Sequence, residues 1–155
     1  MTPAINLLKK YKYDFKIHKY EHNPACTNFG EEAVDKLKLD AKRVFKTLLV
    51  ELSSKELVVC ILPVYNMLNL KSIAEVFGVK KAQMASKDEA QKTTGYLLGG
   101  ISPLGQRKLL KTVLDISSNN FETIFISGGK RGLDIEIKPK ILEEILEIKK
   151  ARITL

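Results

Sequence analysis

Two runs of β-favouring residues, Val44–Leu52 and Leu57–Pro63, are separated only by Ser53-Ser54-Lys55-Glu56. Branched and aliphatic side chains suit a pleated, largely buried surface, and a short polar connection between two such runs favours antiparallel pairing. A hairpin is therefore expected, and the rest of the chain must be built around it. Leu57-Val58-Val59-Cys60-Ile61-Leu62 carries no charge, so Cys60 reads as a small buried hydrophobe. The other run has one anomaly, Lys46, which alternation puts on a face with Leu48 and Val50, opposite Phe45, Thr47 and Leu49. A lysine in such a strand is either an edge residue that discourages further pairing or a cation opening into a wet pocket.

Flanking periodicities supply the other elements. Thr2 and Pro3 suit the start of a helix with Ile5, Leu8 and Tyr11 on one face. Asp14–Tyr20 alternates as a strand, His22–Gly30 is irregular, and Glu31–Leu37 reads as a short helix with acids in its first turn. Asn69–Phe77 is helical with Gly78 as its stop, Ala82–Ala85 is a short strand, and Ser86-Lys87-Asp88-Glu89 is a capping box whose helix ends near Thr94-Gly95. Lys111–Leu114, Phe121–Ser127 and Leu133–Ile137 read as strands, and Pro139 opens a helix reaching about Ile148, with Lys149 and Lys150 favourably placed at its end. The expected class is α+β: a curved, mixed, mostly antiparallel sheet with helices packed outside.

Three stretches carry candidate chemistry. Gly95 to Gly105 contains four glycines besides a proline-marked bend at Pro103, so it forms a shaped loop whose Gly99 and Gly100 backbone either turns the chain or points N–H groups at a ligand. It is no phosphate-binding P-loop, because Gly-Lys-Ser/Thr is missing at its end. Ser127-Gly128-Gly129-Lys130-Arg131-Gly132 reads as a tight turn that joins a hydroxyl, close-approach glycines and two cations, a set suited either to phosphate or ribose or to a plain polar hairpin. Asp134 follows on the returning strand, either paired with a cation such as Lys46 or facing outward. No hydrolytic triad is legible: His18 and His22, the two histidines, have no nucleophile at motif spacing, and nothing visible activates Cys26. No ligand spacing for zinc is present, so no metal is expected.

Length and charge bound the rest. A chain of 155 residues suits one domain over 1–155. The net charge of +8 and a pI near 9.4 favour polyanionic partners, nucleic acid foremost. No apolar run is long enough for a membrane span, the start Met1-Thr2-Pro3-Ala4 lacks a signal-peptide core, and Cys26 and Cys60 form no disulfide framework, so a reducing cytoplasmic setting is expected.

In order, Met1-Thr2-Pro3-Ala4, Phe45–Val50, Thr94–Gln106 and Ser127–Leu133 resemble the YbaK family of bacterial Cys-tRNA(Pro) deacylases, and the likeness covers nearly the whole chain. The resemblance implies a barrel-like sheet ringed by helices, with a pocket between the lysine strand and the glycine loop. It implies that Lys46 is essential, that the Gly99–Gly100 backbone faces the aminoacyl group, and that Tyr20, Phe29, Thr47, Ser127 and Asp134 line the pocket. Lys130 and Arg131 remain candidates for phosphate or ribose. It implies aminoacyl-tRNA as substrate, prolyl-tRNA synthetase as a partner, no cofactor, and cleavage by the substrate's own thiol. The alternatives are a sister deacylase acting on Ala-tRNA(Pro) through water, and a non-catalytic module that binds tRNA or a synthetase.

Overall fold

The computed structural model describes residues 1–155. In chain order the elements are α1 (Pro3–Lys10), β1 (Lys16–Lys19), α2 (Phe29–Leu37), β2 (Phe45–Leu52), β3 (Leu57–Pro63), α3 (Leu70–Val76), β4 (Ala82–Met84), α4 (Lys87–Thr94), β5 (Thr112–Asp115), β6 (Ile124–Lys130), β7 (Leu133–Ile137), α5 (Pro139–Ile145) and β8 (Ile148–Ala151). Short 3₁₀ turns at Ala41–Arg43 and Ile116–Asn120 precede β2 and β6.

The expected hairpin forms: β2 and β3 pair antiparallel from Phe45 with Pro63 to Glu51 with Leu57. It is the centre of a five-stranded sheet ordered β4-β2-β3-β5-β8, in which β4 is antiparallel and β5 and β8 are parallel. A second, antiparallel sheet runs β1-β7-β6. The sheets meet at one parallel bridge, Val44 with Phe125, and no ladder closes them into a barrel. The fold is thus mixed α+β with mostly antiparallel pairing, as the sequence led one to expect.

The alternation in β2 sorts the core. Phe45 and Leu49 join Ile124, Ile126, Ile135 and Leu142 in the cluster between the sheets, while Val50 and Leu52 join Val58, Cys60, Leu62 and Ile73 beneath α3. Burial on both faces explains why β3 reads as an unbroken apolar run. A third, smaller cluster packs Val44, Val64 and Phe125 against Val34 of α2.

Local chemistry sets the helix ends. Thr2, Asn69 and Ser86 each accept a backbone N–H at their helix starts, and Gly95 closes α4 at φ +82°. Three expectations need correction. The C-terminal helix stops at Ile145, because Leu146 turns extended and Ile148–Ala151 pairs with β5; Lys149 and Lys150 therefore lie on an edge strand rather than in a last helical turn. β6 runs on through Lys130 with a register shift after Ser127, so the tight turn shrinks to Arg131-Gly132. α2 begins at Phe29, two residues before the acids that suggested its start at Glu31.

Candidate active site

The gap beside the single bridge between sheets opens into a cleft of about 670 Å³. Its walls are the start of β2, the N-terminal end of α2, the glycine loop at Leu98–Ile101, and the β6–β7 hairpin. Tyr20, Phe29, Lys46, Thr47, Gly99, Ser127, Lys130, Arg131 and Asp134 all line it. Residues up to 114 positions apart in sequence, Tyr20 and Asp134, thus share one concavity.

Lys46 resolves both of its readings in part. β2 is an interior strand, yet β4 covers only Val50–Leu52, so at Lys46 one side of the strand carries no ladder. The side chain is half-buried and forms no ion pair. Burial pulls its pKa below the ordinary lysine value, and the charge of Glu31, also on the cleft wall, partly opposes that shift. Beside it, the buried Thr47 Oγ1 has no hydrogen-bond partner.

Asp134 is neither outward-facing nor paired with Lys46. It is 7% exposed, lies opposite Ser127 in the ladder, and makes no ion pair. Burial alone raises its carboxyl to about 7. The Tyr20 phenol is pushed up to about 12, first by burial and then by the nearby Asp134 charge. The Ser127 hydroxyl accepts the Gly129 N–H at 3.2 Å.

The glycine loop separates its two candidates. Gly100 N–H donates to Leu97 C=O at 3.0 Å, and Gly100 is absent from the cleft wall. A Cβ there would stand 2.7 Å from Lys130 Cα, so this glycine lets loop and hairpin backbones touch rather than binding anything. Gly99 has φ +83° and lines the cleft, and its N–H has no partner within the protein. Of the two N–H groups expected to face a ligand, Gly100 N–H is taken up inside the loop and Gly99 N–H is left free at the cleft.

Arg131 is already engaged. Its Nε and Nη2 donate to Leu98 C=O at 3.2 and 2.8 Å, and its guanidinium lies 4.4 Å over the Phe29 ring. Lys130 is exposed at the rim.

Both histidines are engaged off the cleft wall: His18 with Glu136 at 3.0 Å, and His22 with the buried Glu32 at 2.6 Å. Glu32 also accepts Asn23 N–H, and these bonds hold its carboxyl below the usual range against the opposing effect of burial. Cys26 contacts Asn28 C=O and Cys60 is fully buried; neither lines the cleft. Lys87 and Glu31 also line the cleft; each sits in a helix start, Glu31 where the helix dipole already accounts for an acid and Lys87 inside a capping box, so the sequence does not single it out.

The chain belongs to the aminoacyl-tRNA editing domain family, whose profile matches residues 23–145. At 30% identity it resembles the "Putative Cys-tRNA(Pro)/Cys-tRNA(Cys) deacylase EbsC" of Enterococcus faecalis, over 99% of this chain and 93% of that protein. It also resembles the uncharacterised protein YwhH of Bacillus subtilis, 29% identical over 74% of this chain and 72% of the other. Two solved structures share the fold. The "hypothetical protein APE2540" superposes with TM-score 0.88 at 21% identity, covering 99% of both chains. A "putative trans-editing enzyme for prolyl tRNA synthetase" superposes with TM-score 0.83 at 19% identity, covering 99% of this chain and 95% of that one.

Proposed function

We propose that this chain is an aminoacyl-tRNA deacylase that clears Cys-tRNA(Pro), and Cys-tRNA(Cys) with it, in trans. The observation that carries the reading is a single cleft uniting the Lys46 strand with the Gly99 loop, whose twenty lining residues include no histidine and no cysteine. Such a site binds, orients and stabilises charge, and it offers neither a cysteine nor a histidine-activated hydroxyl as nucleophile. The likeness to EbsC supports the choice of cysteine.

In this reading the substrate supplies the nucleophile. Its thiolate sulfur bonds to the ester carbonyl carbon, and the carbon–oxygen bond to the terminal ribose breaks. The thiol's proton ends on the departing ribose oxygen, and the cyclic thiolactone hydrolyses to cysteine. Holding thiol and carbonyl together contributes up to about 7–11 kcal/mol in favourable intramolecular cases. Gly99 N–H receives the oxyanion, Lys46 steadies the developing charge, and Tyr20, Thr47 and Ser127 contact the terminal adenosine and the aminoacyl group. In the same reading the two sheets act as a barrel-like enclosure: they draw together at the Val44–Phe125 bridge, and the substrate enters the remaining gap. The setting is cytoplasmic, and prolyl-tRNA synthetase is the partner that delivers the tRNA.

Asp134 favours a second reading. A carboxyl titrating at about 7 in a cleft has the pKa of a general base for water, which a sister enzyme acting on Ala-tRNA(Pro) would use. Deacylation of Cys-, Ala-, Ser- and Pro-charged tRNA(Pro) separates the two. The thiol reading expects release of cysteine only, a loss of about 100-fold or more in Lys46→Ala, and full activity in Cys26→Ser. Rapid release of serine overturns the thiol mechanism, and release of alanine in preference to cysteine selects the water mechanism.

A further inference from the structure

The glycine loop makes a turn from Leu97 to Gly100, closed by the Gly100 N–H to Leu97 C=O bond at 3.0 Å. Gly99 sits at its third position with φ +83°, the backbone angle of a type II turn. Types I and II differ by a flip of the central peptide, here the one joining Leu98 to Gly99. That peptide is planar and trans, so its C=O and N–H point in opposite directions. Whatever holds the Leu98 carbonyl therefore also aims the Gly99 N–H.

Arg131 holds it, with two nitrogens on one oxygen at 3.2 and 2.8 Å. The base of this fork is firm. Gly100 leaves no room for a Cβ against Lys130 Cα, at 2.7 Å, and Gly132 none against Tyr20 C=O, at 2.6 Å. Tyr20 N–H also donates to Gly132 C=O at 3.0 Å. The Phe29 ring, 4.4 Å below the guanidinium, fills the side where the fork would otherwise swing away. A side chain at Gly99 would meet both Phe29, at 2.6 Å, and Arg131 Nε, at 2.7 Å.

From this juxtaposition we infer that Arg131 is a positioning residue: it locks the Leu98–Gly99 peptide in the one orientation that offers the Gly99 N–H to the substrate carbonyl. The two glycine-rich runs are then halves of one device, one bearing the donor and the other the clamp. The inference rests on the deacylase reading for its consequence in rate, though not for its consequence in the loop.

The test is Arg131→Lys, which keeps the charge and loses the fork. Its single-turnover rate on Cys-tRNA(Pro) is expected to fall between about tenfold and about 100-fold. Affinity for uncharged tRNA and the salt dependence of that affinity are expected to stay within twofold of the parent. The amide resonance of Gly99 in a ¹H–¹⁵N spectrum is expected to broaden or double as the peptide samples both orientations. A rate equal to the parent's overturns the proposal. So does a loss of tRNA affinity with the salt slope lowered by about 0.7, which would make Arg131 a phosphate contact. Phe29→Leu, which removes the stacked ring and keeps the arginine, is the second variant should Arg131→Lys not fold; a Gly99 resonance that stays single and sharp in the folded variant, whatever its shift, also overturns the clamp. If the parent releases no cysteine the deacylase reading fails, and the spectra still decide the clamp.

Discussion

Asp134 has the most informative titration in the molecule. Its carboxyl is raised from 3.8 to about 7 by burial, so the folded state prefers it protonated. The stability this confers is full below about pH 4 and is lost as pH rises through about 7. Asp134→Asn, which keeps the shape without the charge, is expected to flatten the fall in unfolding free energy between about pH 4 and 7; denaturant titrations across that range check it. Other residue-scale features were legible to different degrees. Lys46 stands out because a strand pattern makes any charge inside it conspicuous. Asp134 does not, since a single acid in an alternating strand is ordinary until the sheet partner is known. Glu32 was hidden altogether: it lies in the first turn of α2, where an acid already has a reason to be, and only the fold brings His22 and Asn23 onto it.

Elements with strong periodicity and caps lie close to their expected bounds. Ser86 and Gly95 delimit α4 almost by themselves. Where pairing decides, sequence signals run out. Ile148–Ala151 continues the apolar stripe of α5 on paper, yet the open edge of β5 takes it as a strand. Thr2 shows how far a cap can reach. Its hydroxyl accepts the Ile5 N–H and donates to Gly128 C=O, and its Cβ lies where a side chain at Gly129 would fall, 2.9 Å away. α1 is thereby tied to the bulged end of β6, next to Ser127. Thr2→Ala is expected to cost about 1–3 kcal/mol of stability, for the cap and the orphaned buried carbonyl together. Urea unfolding measures it, and a change below a few tenths of a kcal/mol would show that α1 does not brace the hairpin.

At the scale of the whole molecule, the +8 charge has a local counterpart in the cleft. Lys46, Lys87, Lys130 and Arg131 line it against Glu31 and Asp134. With Arg131 engaged by Leu98 and Lys46 half-buried, Lys87 and Lys130 are the exposed cations left for the phosphates of the incoming strand end. Lys87→Ala and Lys130→Ala are each expected to reduce the magnitude of the slope of log affinity against log salt by about 0.7, and to leave the single-turnover rate at saturation within about twofold. Filter binding over a salt series reads the slope.

The last strand decides what backbone the molecule leaves bare. All four residues of β5 are buried, and β8 supplies the neighbour along one side of it. A chain cut before Ile148 would keep every cleft residue through Asp134 and yet leave a raw, adhesive backbone along β5. Exposed strand borders of that kind recruit other chains. Lys149 and Lys150 travel on the segment that ends the exposure, and once docked they put two charges on the border that replaces it. Trimming the tail would therefore harm solubility before it touched the chemistry.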